Sequence, residues 1–423
     1  MANILVAISS LKLDGHTSVC FEIVEALQDD HHVDLLVNQA NGEEIDFQEL
    51  NDSFGTNVRQ EVLSDNYTVS KLNSLRWTLG KIPVPDKVDL AITKVSNAIF
   101  VREYQSVLKN YDLVIDTERG PHIGFRHIYS TLPYDSTDEE STNHLSTPTI
   151  QYSNTPIVYY RHNAYKITRE SNVPDYFGIP DFIDWICRKL VDINEQVDLN
   201  ATFVANSDFT AKRFEEAHNI PTETIYPPVN IGKFETERVP WDQREDGFVT
   251  VGRLSPRKNQ LKSIQAVEEM RGRGYDVHLH IVGDTDERYT DFADQVLKKC
   301  EDTDYVTYEG RLSDKELIAI LCEHKFGIHT TEHERFGIVI GEMVAAGMIP
   351  FVPNSGGQTE VVNQIPELKY DDTDDLVANF EKVYTDLSRQ ERIREILMSS
   401  AERYSKEKFA EKISAAIINT VEK

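Results

Sequence analysis

Short runs of Val, Ile and Leu recur along the chain between longer segments whose apolar positions are spaced for helices. The runs are apolar throughout, which suits parallel strands buried on both faces, and their alternation with helices predicts an α/β fold. The first series predicts strands at 4–9, 33–38, 111–116, 149–152 and 201–207, with a helix over 16–29. The second predicts strands at 247–253, 277–283, 305–308, 326–330 and 349–353. Pro227 and Pro228 lie between the two series and a polar stretch, 232–246, follows. The boundary is therefore placed there, with an N-terminal domain over 1–230 and a C-terminal domain over 231–404. In the tail, 405–423, Phe409, Ile413, Ala416 and Ile417 fall near helical spacing. They predict a closing helix that packs back toward the first domain. Two doubly wound domains in sequence are expected to face each other across a cleft. Ligands of such sheets bind at the carboxyl ends of strands, so chemistry is expected on the loops that follow them. The polar, acidic segment 131–147 has no periodicity and reads as a surface loop.

Composition narrows the class. A chain of 423 residues with 40% hydrophobic positions can bury two cores, which rules out a single small module, a disordered chain or a fibre. A net charge of −27 argues against wholesale binding of nucleic acid, because the average field repels polyanions. So many carboxylates suit a salt-rich cytoplasm. Cys20, Cys187, Cys300 and Cys322 form no CxxC pair, so neither a disulfide framework nor a zinc knuckle is expected, and a reduced compartment is. The chain runs from Met1 into apolar Ile4–Ile8 with no basic leader or cleavage site, and no stretch reaches the ~18 apolar residues of a membrane span. The expected location is cytoplasmic, peripheral on the cytoplasmic membrane face at most.

Two segments could carry chemistry. From His329 to Gly347 the pattern is a strand end, a polar loop and a helix opening at Gly337, whose unpaired first-turn amides would suit a diphosphate. Glu334 and Glu342 are eight residues apart, at most about 12 Å if the interval were helical. That matches the reach of a nucleotide sugar with a carboxylate at each sugar ring. The plainer reading is a solvated Glu and an ordinary helix-start charge. The second segment, Val251 to Asn259, follows a strand, with Ser255 as N-cap and Pro256 as first helical residue. There Arg253 and Lys258 could converge and neutralise a diphosphate leaving group, or could be two surface bases. Three Asp-x-Asp triplets (284–286, 302–304, 372–374) match what chance spacing gives in so Asp-rich a chain. No obligatory metal or cofactor is expected from them.

The Glu-x7-Glu segment, Gly-Arg-Leu-Ser-Pro-Arg-Lys-Asn at 252–259, Asn206-Ser207, Tyr226-Pro227-Pro228-Val229 and Asn354-Ser355-Gly356-Gly357 together resemble glycosyltransferase family 4. These are retaining enzymes of the GT-B fold, two Rossmann-like doubly wound domains. Within the family, Gly-Ile-His-Thr at 327–330, Glu-Arg-Phe-Gly-Ile at 334–338 and the Asn-Ser-Gly-Gly segment look most like the eukaryotic mannosyltransferases that extend dolichol-pyrophosphate-linked oligosaccharide from GDP-mannose. The resemblance is strong over 201–362 and weaker before. It implies that Arg253 and Lys258 hold the donor diphosphate, that Glu342 binds the ribose hydroxyls and that Glu334 contacts the donor sugar. Phe336, Gly337 and Ile338 would offer backbone amides. The nucleotide-diphosphate sugar is then a substrate, with a hexose, mannose favoured, passing to a lipid-linked or surface-glycan acceptor.

The chain departs from the family pattern in its first half. Tyr152-Ser153-Asn154-Thr155-Pro156 resembles a Tyr-x-His-x-Pro segment, with Asn154 where the sugar-contacting His belongs. Asparagine can bond a hydroxyl but does not titrate near neutral pH, so either Asn154 or nearby His162 fills the position. After the first strand, Leu13-Asp14-Gly15-His16 stands where the family has a glycine-rich loop, and Gly15 replaces the usual pair. Between Lys71 and Lys109, seven bases and three acids accompany Leu75, Trp77, Leu79, Ile82, Val84 and Phe100. Basic and apolar together, this stretch is expected to meet a membrane surface or a lipid-borne acceptor, unless it is an ordinary solvated face. A sugar phosphorylase or disaccharide synthase of the same fold, or a non-catalytic binder of nucleotide sugar, are the competing readings.

Overall fold

The computed structural model describes residues 1–8, 11, 13–37, 46–62, 110–117, 157–161, 201–218 and 221–421. The first sheet comprises β1 (Asn3–Ile8), β2 (His32–Val37), β3 (Leu113–Asp116), β4 (Ile157–Arg161), β5 (Ala201–Ala205) and β6 (Thr222–Thr224). Their order is β2-β1-β3-β4-β5-β6, and every pair is parallel. Central β1 reads Asn-Ile-Leu-Val-Ala-Ile with its last five residues buried, as a strand covered on both faces requires. The Gly15–Leu27 helix follows it, with Asp14 accepting the Thr17 N–H at 2.9 Å as N-cap. The strand next to β3 is β4; the strand expected at 149–152 lies outside the described residues. Ile157-Val158-Tyr159-Tyr160 is β-branched and aromatic, and Pro156 before it has no N–H for a ladder.

The second sheet comprises β7 (Glu245–Val251), β8 (His278–Val282), β9 (Val306–Gly310), β10 (His324–Ile328), β11 (Ile349–Pro353) and β12 (Lys369–Tyr370). Its order is β12-β11-β10-β7-β8-β9, again parallel throughout. Fully buried Phe248, Phe326, Phe351 and Phe380 pack with ring centroids 5.2–6.4 Å apart and anchor its core. In each sheet the strand order reverses beside the first strand, at β1/β3 and at β7/β10. In open α/β sheets the crevice at such a switch point, outside the carboxyl ends, receives ligands.

Internal packing divides the chain into two units: 1–206, 210–225 and 410–423 form one, and 207–209 with 226–409 the other. The second unit takes in Tyr226 to Asn230, which the sequence pattern assigned to the first. Val229 is buried in the second core and its N–H donates to the Tyr404 carbonyl at 2.7 Å. The tail helix, Lys406–Val421, buries Phe409, Ile413, Ala416 and Ile417. Within the first unit its Thr420 hydroxyl bonds the Thr202 hydroxyl at 2.7 Å. Among the described residues no helix is long and apolar enough to cross a membrane.

Candidate active site

Because β7 and β10 are neighbours, the loops leaving their carboxyl ends lie side by side. The Thr330 hydroxyl, after β10, donates to the Lys258 carbonyl at 2.5 Å, after β7. The β7 loop differs from the helix start expected at Pro256. Ser255 to Lys258 form a turn in which the Lys258 N–H donates to the Ser255 carbonyl at 3.0 Å. The helix begins only at Gln260, behind Asn259 in the left-handed region at φ 48°. Asparagine tolerates that conformation better than most residues. Gln260 Nε2 then donates to the Gly252 and Arg253 carbonyls, each at 3.1 Å, and fixes the loop from inside. A Cβ at residue 252 would lie 3.3 Å from Lys258 Cδ, so Gly252 leaves room for the lysine stem.

Lys258 Nζ donates to Glu334 Oε2 at 2.9 Å, and an Arg257 terminal nitrogen lies 4.0 Å from Oε1. Burial alone would raise the Glu334 carboxyl. The Lys258 charge overrides it and holds the group well below the usual carboxylate range. His329 Nε2 stands 3.8 Å from Glu334 Oε2, too far for a hydrogen bond, and has no hydrogen-bond partner. Burial lowers the His329 pKa, so its imidazole is neutral at pH 7. An ion pair beside a buried polar nitrogen without a partner is a site with capacity left for a ligand.

The Glu334 loop is braced by the Asn-Ser-Gly-Gly segment. The Gly357 N–H donates to the Glu334 carbonyl at 2.8 Å, and the His333 N–H to Ser355 Oγ at 3.0 Å. A Cβ at 357 would lie 1.9 Å from the Arg335 carbonyl oxygen, and one at 356, where φ is +76°, 2.3 Å from that of Glu334. Only glycine admits such backbone-on-backbone contact. Buried Gln358 completes the brace, donating to the Thr331 and Ser355 carbonyls at 3.0 and 2.9 Å.

Next, Phe336 buries its ring against Tyr226 and Tyr404, with centroids 5.8 and 5.2 Å away. Gly337, at φ 94°, caps the Ile338–Ala345 helix. Intrahelical bonding begins with the Ile340 N–H to the Gly337 carbonyl, so the Ile338 and Val339 amides have no acceptor within the helix. The interval from Glu334 to Glu342 is thus helical only from Ile338 onward. Glu342 Oε1 accepts from Lys233 Nζ at 3.0 Å, and the same ammonium donates to Asp314 at 3.0 Å. Burial alone would lower Lys233, but the two carboxylates reverse this and raise it. Arg253 donates to Asp286 Oδ2 at 3.3 Å, a carboxylate shared with Arg288 at 2.6 Å. The Arg288 hydrogen bonds, with that of Arg253, hold Asp286 low.

Of the residues singled out in the sequence, Lys258 and Glu334 are therefore in contact, while Arg253 and Glu342 each have a partner of their own. Gly15 belongs to the first unit and opens its helix, where the adjacent His16 Nε2 contacts the Thr117 carbonyl. Asn154, His162 and the stretch 71–109 lie outside the described residues. The pattern missed Arg257 and His329, although both sit inside the segments it selected. It also missed Lys233 and Asp314, whose partners are 109 and 81 residues away and which no local spacing signals, and it set Asp286 aside among the chance Asp-x-Asp triplets, although Asp286 accepts from Arg253, 33 residues away.

Residues 233–396 match the family described as glycosyl transferases group 1, a span that holds Arg253, Lys258, Glu334 and Glu342. The human Alpha-1,3/1,6-mannosyltransferase ALG2 is 28% identical over 231 residues, 49% of this chain and 53% of the relative. A GDP-Man:Man(3)GlcNAc(2)-PP-Dol alpha-1,2-mannosyltransferase of Dictyostelium discoideum is 28% identical over 171 residues, 37% of this chain and 33% of the relative. The chain thus spans about half and about a third of the length of these two relatives. In fold it is similar to Anabaena Alr3699/HepE, solved in complex with UDP and glucose, with a TM-score of 0.63, 16% identity and coverage of 99% and 100% of the two chains. A sucrose-phosphate synthase of Thermosynechococcus elongatus gives 0.62 at 13% identity, covering 99% of each chain. The fold is GT-B, as the sequence resemblance implied.

Proposed function

We propose that this chain, whose residues 233–396 are a glycosyl transferases group 1 domain, is a retaining mannosyltransferase that takes its sugar from GDP-mannose and extends a lipid-linked oligosaccharide. The observation that carries the reading is the Lys258–Glu334 pair at the β7/β10 switch point, 2.9 Å apart beside the unpartnered Nε2 of His329. Relatives named for GDP-Man and a PP-Dol acceptor support the donor and the acceptor class.

Lys258 has three donors, so it keeps Glu334 while turning another hydrogen toward a phosphate oxygen. Arg253, more than half exposed beside Asp286, would take the other phosphate edge. The Ile338 amide, with those of Phe336 and Gly337, adds positive partial charge at the helix start. Glu334, ionised at neutral pH, would accept from donor-sugar hydroxyls and Glu342 from the ribose. In transfer, the bond from the sugar's anomeric carbon to the diphosphate oxygen breaks and its electron pair leaves with the diphosphate. The acceptor hydroxyl forms the new bond on the same face, and its proton passes to the departing phosphate. No side chain is needed as a covalent nucleophile. Catalysis is positioning and neutralisation of the leaving group. Asn154 or His162 is kept, on the family resemblance alone, as a further sugar contact. Basic, apolar 71–109 would hold the lipid surface, and loss of vesicle flotation on replacing Arg76, Trp77 and Lys81 is the expected result.

The test incubates the full chain with GDP-mannose, UDP-glucose or ADP-glucose and a pyrophosphate-linked lipid oligosaccharide. Transfer from GDP-mannose with the α configuration kept, abolished in Glu334→Ala, is the expected outcome. Donor binding without turnover for every sugar would instead make the chain a non-catalytic binder.

A further inference from the structure

At the opposite, amino-terminal edge of the second sheet a cluster of imidazoles stands apart from the loops described above. His278 and His280 are two residues apart on β8 and so share a sheet face. His324 opens β10, two strands away. Their ring centroids lie 4.6–5.2 Å apart, and one nitrogen from each lies within 4.8 Å of the others. Between them, on β7, Gly247 pairs with His278 and Glu245 with His324. A Cβ at 247 would lie 2.2 Å from His278 Nε2, so the absent side chain makes the space into which the rings converge.

We propose that His278, His280 and His324, with Glu245 as fourth ligand, form a binding site for a divalent transition-metal ion, zinc being the one that fits. Three observations lead there. First, the ring orientations are fixed by outer hydrogen bonds. His324 Nδ1 donates to the Ile320 carbonyl at 2.7 Å and His280 Nδ1 to Glu309 Oε1 at 2.6 Å. Each bond leaves Nε2 as the unprotonated nitrogen, as second-shell partners of metal-bound histidines do. Second, His278 Nε2 lies 3.1 Å from His324 Nε2. Donors at about 2.0–2.1 Å from a tetrahedral zinc stand roughly 3.3 Å apart. Third, Glu245 Oε2 lies 3.4 Å from His278 Nε2 and 4.0 Å from His324 Nε2, which supplies a carboxylate on the solvent side. Three imidazoles and one carboxylate select zinc over magnesium or calcium. Without metal, His278 Nε2–H donates to His324 Nε2. On binding, that proton moves through solvent to His278 Nδ1, so the neutral ring loses no net proton. Burial favours the neutral, ligating form of His324 and His278. A bound ion would tie β7, β8 and β10 together at the end remote from the Lys258 loop.

The full chain, stripped with chelator, is titrated with zinc chloride by calorimetry and followed by thermal melting, with magnesium chloride as control. One zinc per chain, a rise in Tm of roughly 5 °C at saturating zinc and none with magnesium are expected. The double variant His278→Ala/His280→Ala should lower zinc affinity at least 100-fold, and exposed Glu245→Gln about 10-fold. Cobalt should give the visible bands of a tetrahedral nitrogen–oxygen site in the parent chain only. A parent chain that takes up no zinc, or a double variant that takes it up as tightly, overturns the site. Should the double variant not fold, histidine modification by diethyl pyrocarbonate in the parent chain decides. Zinc protection of His278 and His280 supports the site, and unchanged modification refutes it.

Discussion

At the carboxyl edge of the second sheet the reactive groups stand on loops and helices, are charged and are already paired: Lys258 with Glu334 and Arg253 with Asp286 across loops, Lys233 with Glu342 between two helices. At the amino edge they stand on the strands and are imidazoles bonded to one another and to fixed acceptors. The difference follows from the backbone. A loop with a turn, such as Ser255 to Lys258, can aim a long side chain and let it exchange partners with little rearrangement. A strand residue is held by its ladder, so its side chain keeps one direction. The first edge is suited to binding and releasing a charged substrate, and the second to holding one ion in one geometry.

The strongest way to separate the edges is to damage one and read the other. Glu334→Ala should lower kcat/KM for mannose transfer about 1,000-fold, roughly 4 kcal/mol of transition-state stabilisation, and leave zinc uptake intact. The His278→Ala/His280→Ala pair should do the converse, with transfer within twofold of the parent. If both variants lose both properties, the edges are not independent.

Gly357→Ala tests whether the brace is specific to the carboxyl edge. Its methyl would press on the Arg335 carbonyl, and urea unfolding should show a loss of about 2–4 kcal/mol. A loss below ~0.5 kcal/mol would mean that the brace yields freely.

Acid distinguishes the edges by window. Burial, with the charges of His280 and His278, pushes His324 down to about 4, against the opposing Ile320 carbonyl bond and Glu245. The unfolded chain, with this group near about 6.5, therefore binds the proton first. Stability from this group is complete above that value and falls by about 2–4 kcal/mol as pH drops from 6.5 to 4. Glu334 has a depressed folded pKa, so its contribution is complete above the unfolded value of about 4.3 and is lost only as pH falls further. Urea midpoints measured across pH should show His324→Gln flattening the upper window and Glu334→Gln only the lower.

How much of this was legible in sequence differs between the edges as well. The Lys258 and Glu334 loops follow strands that their Val and Ile runs announce, and glycines at 252, 337, 356 and 357 mark the close approaches. What escaped was local: Asn259 adopts a left-handed conformation, so the helix starts four residues after Pro256 and Lys258 sits on a turn. β6 and β12 escaped because three and two residues are too few to show a period. At the amino edge, His278-Leu279-His280 was readable as two imidazoles on one face. His324, 46 residues from His278, joins them only through the crossover that sets β10 beside β7.

The smallest expected effect belongs to Glu342→Gln. With Lys233 still bound by Asp314, KM for GDP-mannose should rise about tenfold with kcat little changed, because a ribose contact serves ground and transition states alike. An equal fall in kcat would move Glu342 toward the reacting sugar.

The affinity of GDP for the parent chain and for Lys258→Met, measured by calorimetry at one ionic strength, tests the central claim most directly. If Lys258 holds the donor diphosphate at the β7/β10 switch point, GDP binding should weaken 100-fold or more, about 3 kcal/mol. Equal GDP affinity in the two proteins would contradict the account and place the diphosphate elsewhere.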